Sequence, residues 1–191
     1  MSRRHPVVAI TGSSGAGTTT VTRTFEHIFR REGINAAVVE GDSFHRYDRI
    51  EMKAKMAEAA AAGNQHFSHF GPEANLLDEL EALFRSYGES GTGRLRKYLH
   101  NAQEAAPYGQ PPGTFTPWED VPAGTDLLFY EGLHGAVVTE RLNVAALADL
   151  RSASCRSSTS NGSRSCTATR TCAAIRRKPS STPSCAGCPI T

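Results

Sequence analysis

Cysteine is absent from the first 150 residues of this 191-residue chain, and no apolar run approaches the roughly 18 residues needed to span a membrane. A disulfide-stabilised framework and a membrane-spanning protein are therefore not predicted. The chain starts Met-Ser-Arg-Arg-His-Pro and runs directly into an apolar segment, so no signal peptide is expected. We expect a cytoplasmic protein with no membrane partner.

Residues 151–191 lack acidic and aromatic residues altogether, and their large aliphatic residues are limited to Ile175 and Ile190. They contain seven of the 21 basic residues, which leaves residues 1–150 with 14 basic and 19 acidic side chains. They also contain all five cysteines, with one close pair (Cys185 and Cys188) and no histidine, so a zinc site is poorly supported. Such a segment cannot bury enough apolar surface to offset the entropy of ordering, and it is predicted to be disordered.

The abrupt change near residue 150 divides the chain into a body, residues 1–150, and a low-complexity basic tail, residues 151–191. A basic Ser/Arg-rich tail raises the alternative of a nucleic-acid-binding accessory protein. No aromatic platform accompanies the charge, however, so a nucleic-acid partner is not expected. Because Arg, Ala, Ser, Thr, Pro, Gly and Cys are the residues that GC-rich coding DNA yields in a shifted frame, we hypothesise a frameshift near codon 150.

The segment from Val7 to Thr20 reads as strand, glycine-rich turn and helix. Glycines allow the backbone to aim several N–H groups at one anion, and the helix N-terminus adds favourable dipole charge. The candidate nucleotide-binding residues are Gly12, Ser13, Ser14, Gly15, Ala16, Gly17, Thr18, Thr19 and Thr20. Thr18 replaces the usual lysine, and Thr19 is placed to ligate a phosphate-bound Mg²⁺. The alternative is a glycine-rich turn without a ligand; the strand and helix on either side favour a phosphate site.

The rest of the body alternates between strand and helix patterns, which predicts a parallel α/β sheet. Val21, Phe25, Ile28 and Phe29 form one apolar helix stripe that ends near Gly33. The other predicted elements are a buried strand at Asn35–Glu40, helices at Glu51–Ala62 and Leu76–Phe84 ending at Gly63 and Gly88, a strand at Asp126–Tyr130 and a helix end at Val144–Leu150. Residues 88–124 are predicted to be a long binding or lid loop.

Polar side chains follow the predicted strands. Asp42 could accept a proton from a substrate hydroxyl, or it could be a turn or helix-capping aspartate. His45, Arg49 and Lys53 recur every four residues and would form a cationic helix stripe for a phosphorylated substrate, or a solvated face. Glu131 is a candidate acid near Mg²⁺, or a plain strand-end carboxylate.

Seven segments of the body, in this order, resemble bacterial-type phosphoribulokinases. They are residues 11–21 (Thr-Gly-Ser-Ser-Gly-Ala-Gly-Thr-Thr-Thr-Val), 40–49 (Glu-Gly-Asp-Ser-Phe-His-Arg-Tyr-Asp-Arg), 69–75 (His-Phe-Gly-Pro-Glu-Ala-Asn), 99–101 (Leu-His-Asn), 106–109 (Ala-Pro-Tyr-Gly), 113–120 (Gly-Thr-Phe-Thr-Pro-Trp-Glu-Asp) and 129–135 (Phe-Tyr-Glu-Gly-Leu-His-Gly). The related uridine kinases share the loop and an Asp-Ser-Phe after the second strand, but not the Pro-Tyr-Gly and Thr-Pro-Trp segments.

The resemblance implies a nucleoside-kinase-like P-loop NTPase fold, a parallel sheet with flanking helices that is incomplete at its C-terminus. It implies phosphorylation of ribulose 5-phosphate by ATP and Mg²⁺ to give ribulose 1,5-bisphosphate in the Calvin cycle, by a homo-oligomeric enzyme. Asp42 resembles the catalytic base, Glu131 the acid near Mg²⁺, and His45, Arg49, Lys53 and His100 the contacts to the sugar phosphate. A threonine at the position of Thr18 is familiar in this family.

The tail departs from the family pattern. Family members continue well beyond the equivalent of Leu150, with another core strand and a helical segment that carries Lys, Arg and Asp groups. None of that pattern occurs in residues 151–191. The chain as written is therefore expected to be a poor catalyst or a catalytically dead nucleotide-binding remnant. A uridine-kinase-like nucleoside kinase is the alternative activity.

Overall fold

The computed structural model describes residues 5–12, 17–155 and 170–175, and its centre is a five-stranded sheet. The strands are β1 (Val7–Gly12), β2 (Ala36–Glu40), β5 (Leu127–Gly132), β6 (Leu150–Cys155) and β7 (Arg170–Ile175). Their order across the sheet is β2-β5-β1-β6-β7. The first four run parallel, and β7 pairs antiparallel with β6. A separate ribbon pairs β3 (Arg94–Leu95) with β4 (Glu119–Asp120). The predicted parallel α/β sheet is confirmed.

Among the described residues, five α-helices connect these strands: α1 (Thr18–Glu32), α2 (Arg49–Ala61), α3 (Leu77–Ser90), α4 (Ala102–Ala105) and α5 (Val144–Leu147). Short 3-10 helices cover Gly41–Phe44, Pro72–Ala74 and Ala106–Tyr108. Helix α1 ends at Gly33, which has a φ of 67°, as predicted. The predicted stop at Gly88 is wrong, because Gly91 adopts the left-handed conformation, with a φ of 72°, and its N–H donates to the carbonyl of Tyr87.

The two faces of the sheet are covered by different helices. Val8, Ile10 and Phe129 pack against α1, where Phe25 and Phe29 lie 5.2 and 5.3 Å from the ring centre of Phe129. The opposite face packs against α3 and α5 through Val7, Ala9, Val39, Leu80, Phe84, Leu128, Tyr130 and Val144. Each fully buried large apolar side chain contributes about 1.5–3 kcal/mol. Successive side chains of β1 therefore point to opposite faces of the sheet, so that Val7 and Ala9 pack in one core and Val8 and Ile10 in the other.

Two predicted core positions face solvent instead. Ile28 is 38% exposed, since α1 contacts the sheet through Val21, Phe25 and Phe29. Val38 is 41% exposed, and its strand β2 lies at the edge of the sheet. The prediction of a buried second strand therefore holds for Ala37 and Val39 but not for Val38.

The region after residue 147 also differs from the sequence prediction. Helix α5 ends at Leu147, and Leu150 begins β6 rather than ending a helix. The disorder predicted from residue 151 does not hold for Arg151–Cys155 or Arg170–Ile175, which are strands. Strand pairing uses backbone donors and acceptors, so a segment poor in apolar side chains can still extend a sheet. The remainder of the tail lies outside the described residues.

Residues 88–124 are largely irregular, as predicted, and the β3–β4 ribbon and two backbone hydrogen bonds between Leu99 and the Gly113–Thr114 pair hold them in place. This arrangement brings Tyr98 and His100 to the carboxyl end of β2. Within the part of the chain that the structure describes, no helix is both long enough and apolar enough to cross a membrane.

Candidate active site

The carboxyl ends of β2 and β5 meet unusually closely. Glu40 and Glu131 are paired in register, and the next residues along the two strands are Gly41 and Gly132. A Cβ built on Gly41 would lie 2.9 Å from Gly132 Cα and 2.7 Å from the Tyr130 hydroxyl oxygen. Glycine is required at Gly41 by this backbone approach, which sets the floor of the site.

A cleft of about 430 Å³ opens above this floor. Its α1 wall consists of Gly12 at the end of β1 and of Thr18, Thr22, Arg23 and Glu26 on α1. Its β2 wall consists of Glu40, Asp42, His45 and His100. Glu131, Gly132 and His134 line the floor between them. Parallel α/β folds bind ligands at this edge of the sheet.

Helix α1, which carries most of the α1 wall, starts directly after Gly17, whose φ is 82°. The Gly17 carbonyl accepts hydrogen bonds from the N–H groups of Thr20 and Val21. Thr18 is buried, and no acidic side chain lies in the first turn of α1. The hydroxyl of Thr22 is buried without a hydrogen-bond partner among the described residues. Of the predicted loop, residues 13–16 and the side chain of Thr19 lie outside the described residues.

Asp42 lies in the 3-10 helix that follows β2, and its side chain is 55% exposed toward the cleft. Its Oδ1 is 3.4 Å from Nε2 of His45, and its Oδ2 is 3.9 Å from Nε2 of His100. The hydrogen bond with His45 lowers the pKa of the Asp42 carboxyl against the opposing effect of burial. Asp42 is therefore a carboxylate at neutral pH.

His45 is held between two polar partners. Its Nδ1 lies 2.9 Å from Oδ1 of Asn75, and its Nε2 faces Asp42. Burial alone would lower the pKa of His45, but the hydrogen bonds to Asp42 and Asn75 outweigh burial and raise it. The imidazolium form is therefore favoured beside the cleft.

His100 completes the β2 wall. Its Nε2 lies 3.6 Å from Oε2 of Glu40, whose pKa is raised, chiefly by burial. Arg49 donates from Nη2 to the His100 carbonyl at 2.9 Å, and its guanidinium lies 6.0 Å from the ring centre of Tyr98. The loop that carries His100 is thereby tied to the start of α2.

The predicted cationic helix stripe is not formed as expected. Helix α2 begins at Arg49, because Asp48 caps it and exchanges hydrogen bonds with Glu51 in a capping box. His45 therefore precedes the helix and reaches the cleft from extended backbone. Arg49 and Lys53 share one face of α2; Lys53 is exposed and does not line the cleft.

Sequence reasoning missed Asn75 and Arg96, which do not line the cleft but hold the β2 wall in place through hydrogen bonds. Arg96 donates to the carbonyls of Ser43 and His45 at 2.9 and 2.6 Å. Its guanidinium stacks 3.8 Å from the ring centre of Phe115 and 4.8 Å from that of Trp118. Asn75 ends the motif segment 69–75, whereas Arg96 lies outside all seven motif segments, and only its aromatic partners Phe115 and Trp118 belong to segment 113–120.

The sheet order, the glycine-rich connection from β1 into α1, and the polar cleft at the carboxyl edge define a nucleoside-kinase-like P-loop fold. Residues 7–152 match the model of the phosphoribulokinase / uridine kinase family. The chain belongs to this family.

Individual relatives agree with the family match. The chain is 69% identical over 150 residues to the plasmid-encoded phosphoribulokinase of Cupriavidus necator, covering 78% of this chain and 51% of that protein. It is 64% identical over 151 residues to the phosphoribulokinase of Nitrobacter vulgaris, covering 79% of this chain and 52% of that protein. The solved phosphoribulokinase from Rhodobacter spheroides superposes with a TM-score of 0.70 at 52% identity, covering 78% of this chain and 50% of that one. The chain thus spans about half the length of the relatives it matches.

Proposed function

We propose that this chain carries the nucleotide-binding and sugar-phosphate-binding part of an ATP-dependent kinase that converts ribulose 5-phosphate to ribulose 1,5-bisphosphate in the Calvin cycle. The observation that carries the proposal is the β2 wall. Asp42 is a carboxylate that faces the cleft between His45 and His100, across from the N-terminus of α1. The identity to relatives named phosphoribulokinase supports ribulose 5-phosphate as the proposed substrate.

The α1 wall fits the phosphates of ATP. The N-terminus of α1 has no acidic residue in its first turn, so it favours binding of an anion. The Thr22 hydroxyl makes no hydrogen bond among the described residues and could therefore donate or accept one. In the proposal Gly12–Thr20 hold the phosphates, and Thr19 and Glu131 hold Mg²⁺. Mg²⁺ is ordinarily bound by one or two carboxylates together with substrate phosphates, so Glu131 at the floor suits it. When bound, Mg²⁺ would neutralise charge that develops on the transferred phosphoryl group.

Asp42 is proposed as the general base. The 1-hydroxyl oxygen of ribulose 5-phosphate attacks the γ-phosphorus, the hydroxyl proton passes to the Asp42 carboxylate, and ADP leaves. This role requires the carboxylate form, which the neighbouring His45 favours. His45 and His100, which line the cleft, are proposed to bind the 5-phosphate, since cationic donors form strong charge-assisted hydrogen bonds with phosphate. Arg49 and Lys53 lie outside the cleft lining, on the first turns of α2, and are proposed to reach the same phosphate from there.

The organisation and setting of the protein belong to the same proposal. Residues 1–150 form the kinase part and residues 151–191 the low-complexity basic tail, whose strands β6 and β7 extend the sheet. The substrate is a small molecule, and neither nucleic acid nor a membrane is a partner. As the family resemblance implies, the protein is proposed to be a cytoplasmic, homo-oligomeric enzyme.

The test compares binding and turnover on the full 191-residue chain. Calorimetric titration with MgATP and with ribulose 5-phosphate is expected to show binding of both, and Asp42→Asn is expected to leave MgATP binding unchanged. Because the chain spans about half of its relatives' length, binding is the primary measurement and turnover the second. Binding or faster turnover of uridine in preference to ribulose 5-phosphate would overturn the substrate assignment and favour a nucleoside kinase.

A further inference from the structure

Asn75 is a fully buried polar residue, 2% exposed, that contacts the β2 wall without lining the cleft. It follows the 3-10 helix at Pro72–Ala74, and a backbone bridge pairs it with His45. The Leu76 N–H donates to the Phe44 carbonyl at 2.7 Å on the same side. The backbone therefore holds Asn75 beside His45 independently of its side chain.

The orientation of the Asn75 amide is fixed by its donors. Nδ2 donates to the carbonyl of His69 at 2.8 Å and to that of Gly71 at 2.7 Å. Flipping the amide would place Oδ1 against these two carbonyl oxygens, which cannot donate. Oδ1 must therefore face Nδ1 of His45, at 2.9 Å, as an acceptor. Nδ1 of His45 consequently carries a proton.

From this geometry we propose that Asn75 is a positioning residue that keeps the proton of neutral His45 on Nδ1 and turns Nε2 toward Asp42 and the cleft. The role of His45 toward substrate rests on the proposed function; the arrangement of its ring does not. With Nδ1 always a donor, neutral His45 presents a lone pair on Nε2 to the Asp42 carboxylate at 3.4 Å, which is unfavourable. The imidazolium, with two donors for two acceptors, satisfies both neighbours.

Other charged or titratable groups also face the imidazole of His45, and they set the background on which Asn75 acts. They are Asp42, the rings of His69 at 6.0 Å and Tyr98 at 6.2 Å, the Arg96 guanidinium, His134 and, behind Asp42, His100. Within this set, Arg96 opposes protonation of His45 and Asp42 supports it. Asn75 supplies a neutral acceptor that favours the protonated ring without adding charge.

The test reads the ring nitrogens of His45 by long-range ¹H–¹⁵N NMR across a pH titration of the full chain. The unsubstituted chain is expected to show neutral His45 with its proton on Nδ1, rather than the Nε2–H form that predominates in free histidine. Neutral His45 protonated on Nε2 would overturn the proposal without any variant being needed.

Variants then assign the effect to Asn75. Asn75→Ala is expected to shift the His45 titration midpoint to lower pH and to abolish the Nδ1 preference. The matched control is Asn64→Ala, which removes an exposed amide whose Oδ1 accepts the His66 N–H at 3.1 Å. An unchanged His45 titration in Asn75→Ala, with the fold intact by circular dichroism, would contradict the proposal.

Steady-state kinetics provide the functional readout. The KM for ribulose 5-phosphate is expected to start rising at a lower pH in Asn75→Ala than in the unsubstituted chain, with the two values converging where His45 is protonated in both. A general loss of structure would instead lower kcat at every pH. If the chain binds and phosphorylates no ribulose 5-phosphate, the proposed function fails while the NMR result still decides the role of Asn75.

Discussion

The α1 wall of the cleft offers backbone conformation and hydroxyl groups, from Gly17 with its φ of 82° to the buried Thr22 hydroxyl. The β2 wall instead offers ionisable side chains, with His45 and His100 both within 4 Å of Asp42. The α1 wall would bind an anion through the shape of its backbone and the helix dipole. Proton transfer at the β2 wall would depend on which ionisable side chain is present. The two walls should therefore respond differently to substitution.

The largest expected effect is that of a change at Asp42, where one atom can be exchanged without altering the backbone. Asp42→Asn is expected to lower kcat by about 100-fold or more, since a positioned general base contributes 10²–10⁴-fold. MgATP affinity should not change. The matched control is Asp48→Asn, because asparagine caps a helix as well as aspartate and Asp48 caps α2. Equal activity losses in both variants would show that Asp42 has no special role.

The close approach of Gly41 and Gly132 joins the β2 wall to the floor of the cleft. A substitution that disrupts it should lower the free energy of unfolding more than it lowers activity. In Gly41→Ala the new Cβ meets backbone 2.9 Å away, which cannot rotate aside. We expect a loss of about 1–3 kcal/mol in the free energy of unfolding, the usual cost of overpacking, measured by urea denaturation.

A double variant separates the two contacts of that Cβ. Tyr130→Phe removes the hydroxyl oxygen at 2.7 Å but leaves the Gly132 backbone in place. Stability should therefore not be restored in Gly41→Ala/Tyr130→Phe. Complete recovery would mean that the tyrosine, rather than the backbone approach, requires glycine.

The α1 wall is tested at Gly17. Gly17→Ala places a side chain at left-handed backbone, at a cost of roughly 1–2 kcal/mol, and should weaken MgATP binding by about tenfold or more in calorimetry. Gly63→Ala is the control, because Gly63 has a φ of 84°, no atom within 4 Å of its added Cβ, and a position past the far end of α2. It should lose comparable stability and retain nucleotide affinity. Equal losses of affinity would assign the effect to general destabilisation.

The smallest expected effect is the pH dependence that His45 and Asp42 of the β2 wall confer on stability. The pKa of His45 is raised, so its contribution to stability is present below about pH 6.5 and is lost as pH rises through the folded pKa. The pKa of Asp42 is lowered, so its contribution is present above about pH 3.9 and is lost on acidification. Urea unfolding near pH 5.5 and pH 8.5 should show a stability difference between the unsubstituted chain and His45→Gln that is larger at the lower pH.

The sequence predicted the α1 wall and Asp42 because both follow local rules. A strand, a glycine-rich turn and a helix are contiguous, and a polar residue directly after a parallel strand reaches the carboxyl edge of the sheet. Whether Asp42 acts as the base stays a prediction. Helix α1 and its end at Gly33 were likewise readable from periodicity and a single glycine.

The rest of the β2 wall was not predictable in this way. The spacing of four residues between His45 and Arg49 suggests that both lie on one helix. The helix begins only at Arg49, however, because Asp48 caps it and forms a capping box with Glu51. Asn75 and Arg96 reach His45 from 30 and 51 residues away, and no local pattern specifies such a contact. Val38 read as core because an apolar run does not reveal whether its strand is central or at an edge.

Strand β2 finds its sheet neighbour late in the chain. The backbone N–H of Asn35 donates to Oδ2 of Asp126 at 2.7 Å across a separation of 91 residues, and β5 begins at Leu127. During synthesis on a ribosome, β2 and Asp42 therefore emerge long before the strand that holds them in place. Closing so long a loop is slow, and an unpaired edge strand is a site for aggregation while it waits. The nascent strand β2 thus presents an unpaired edge until residue 132 has emerged.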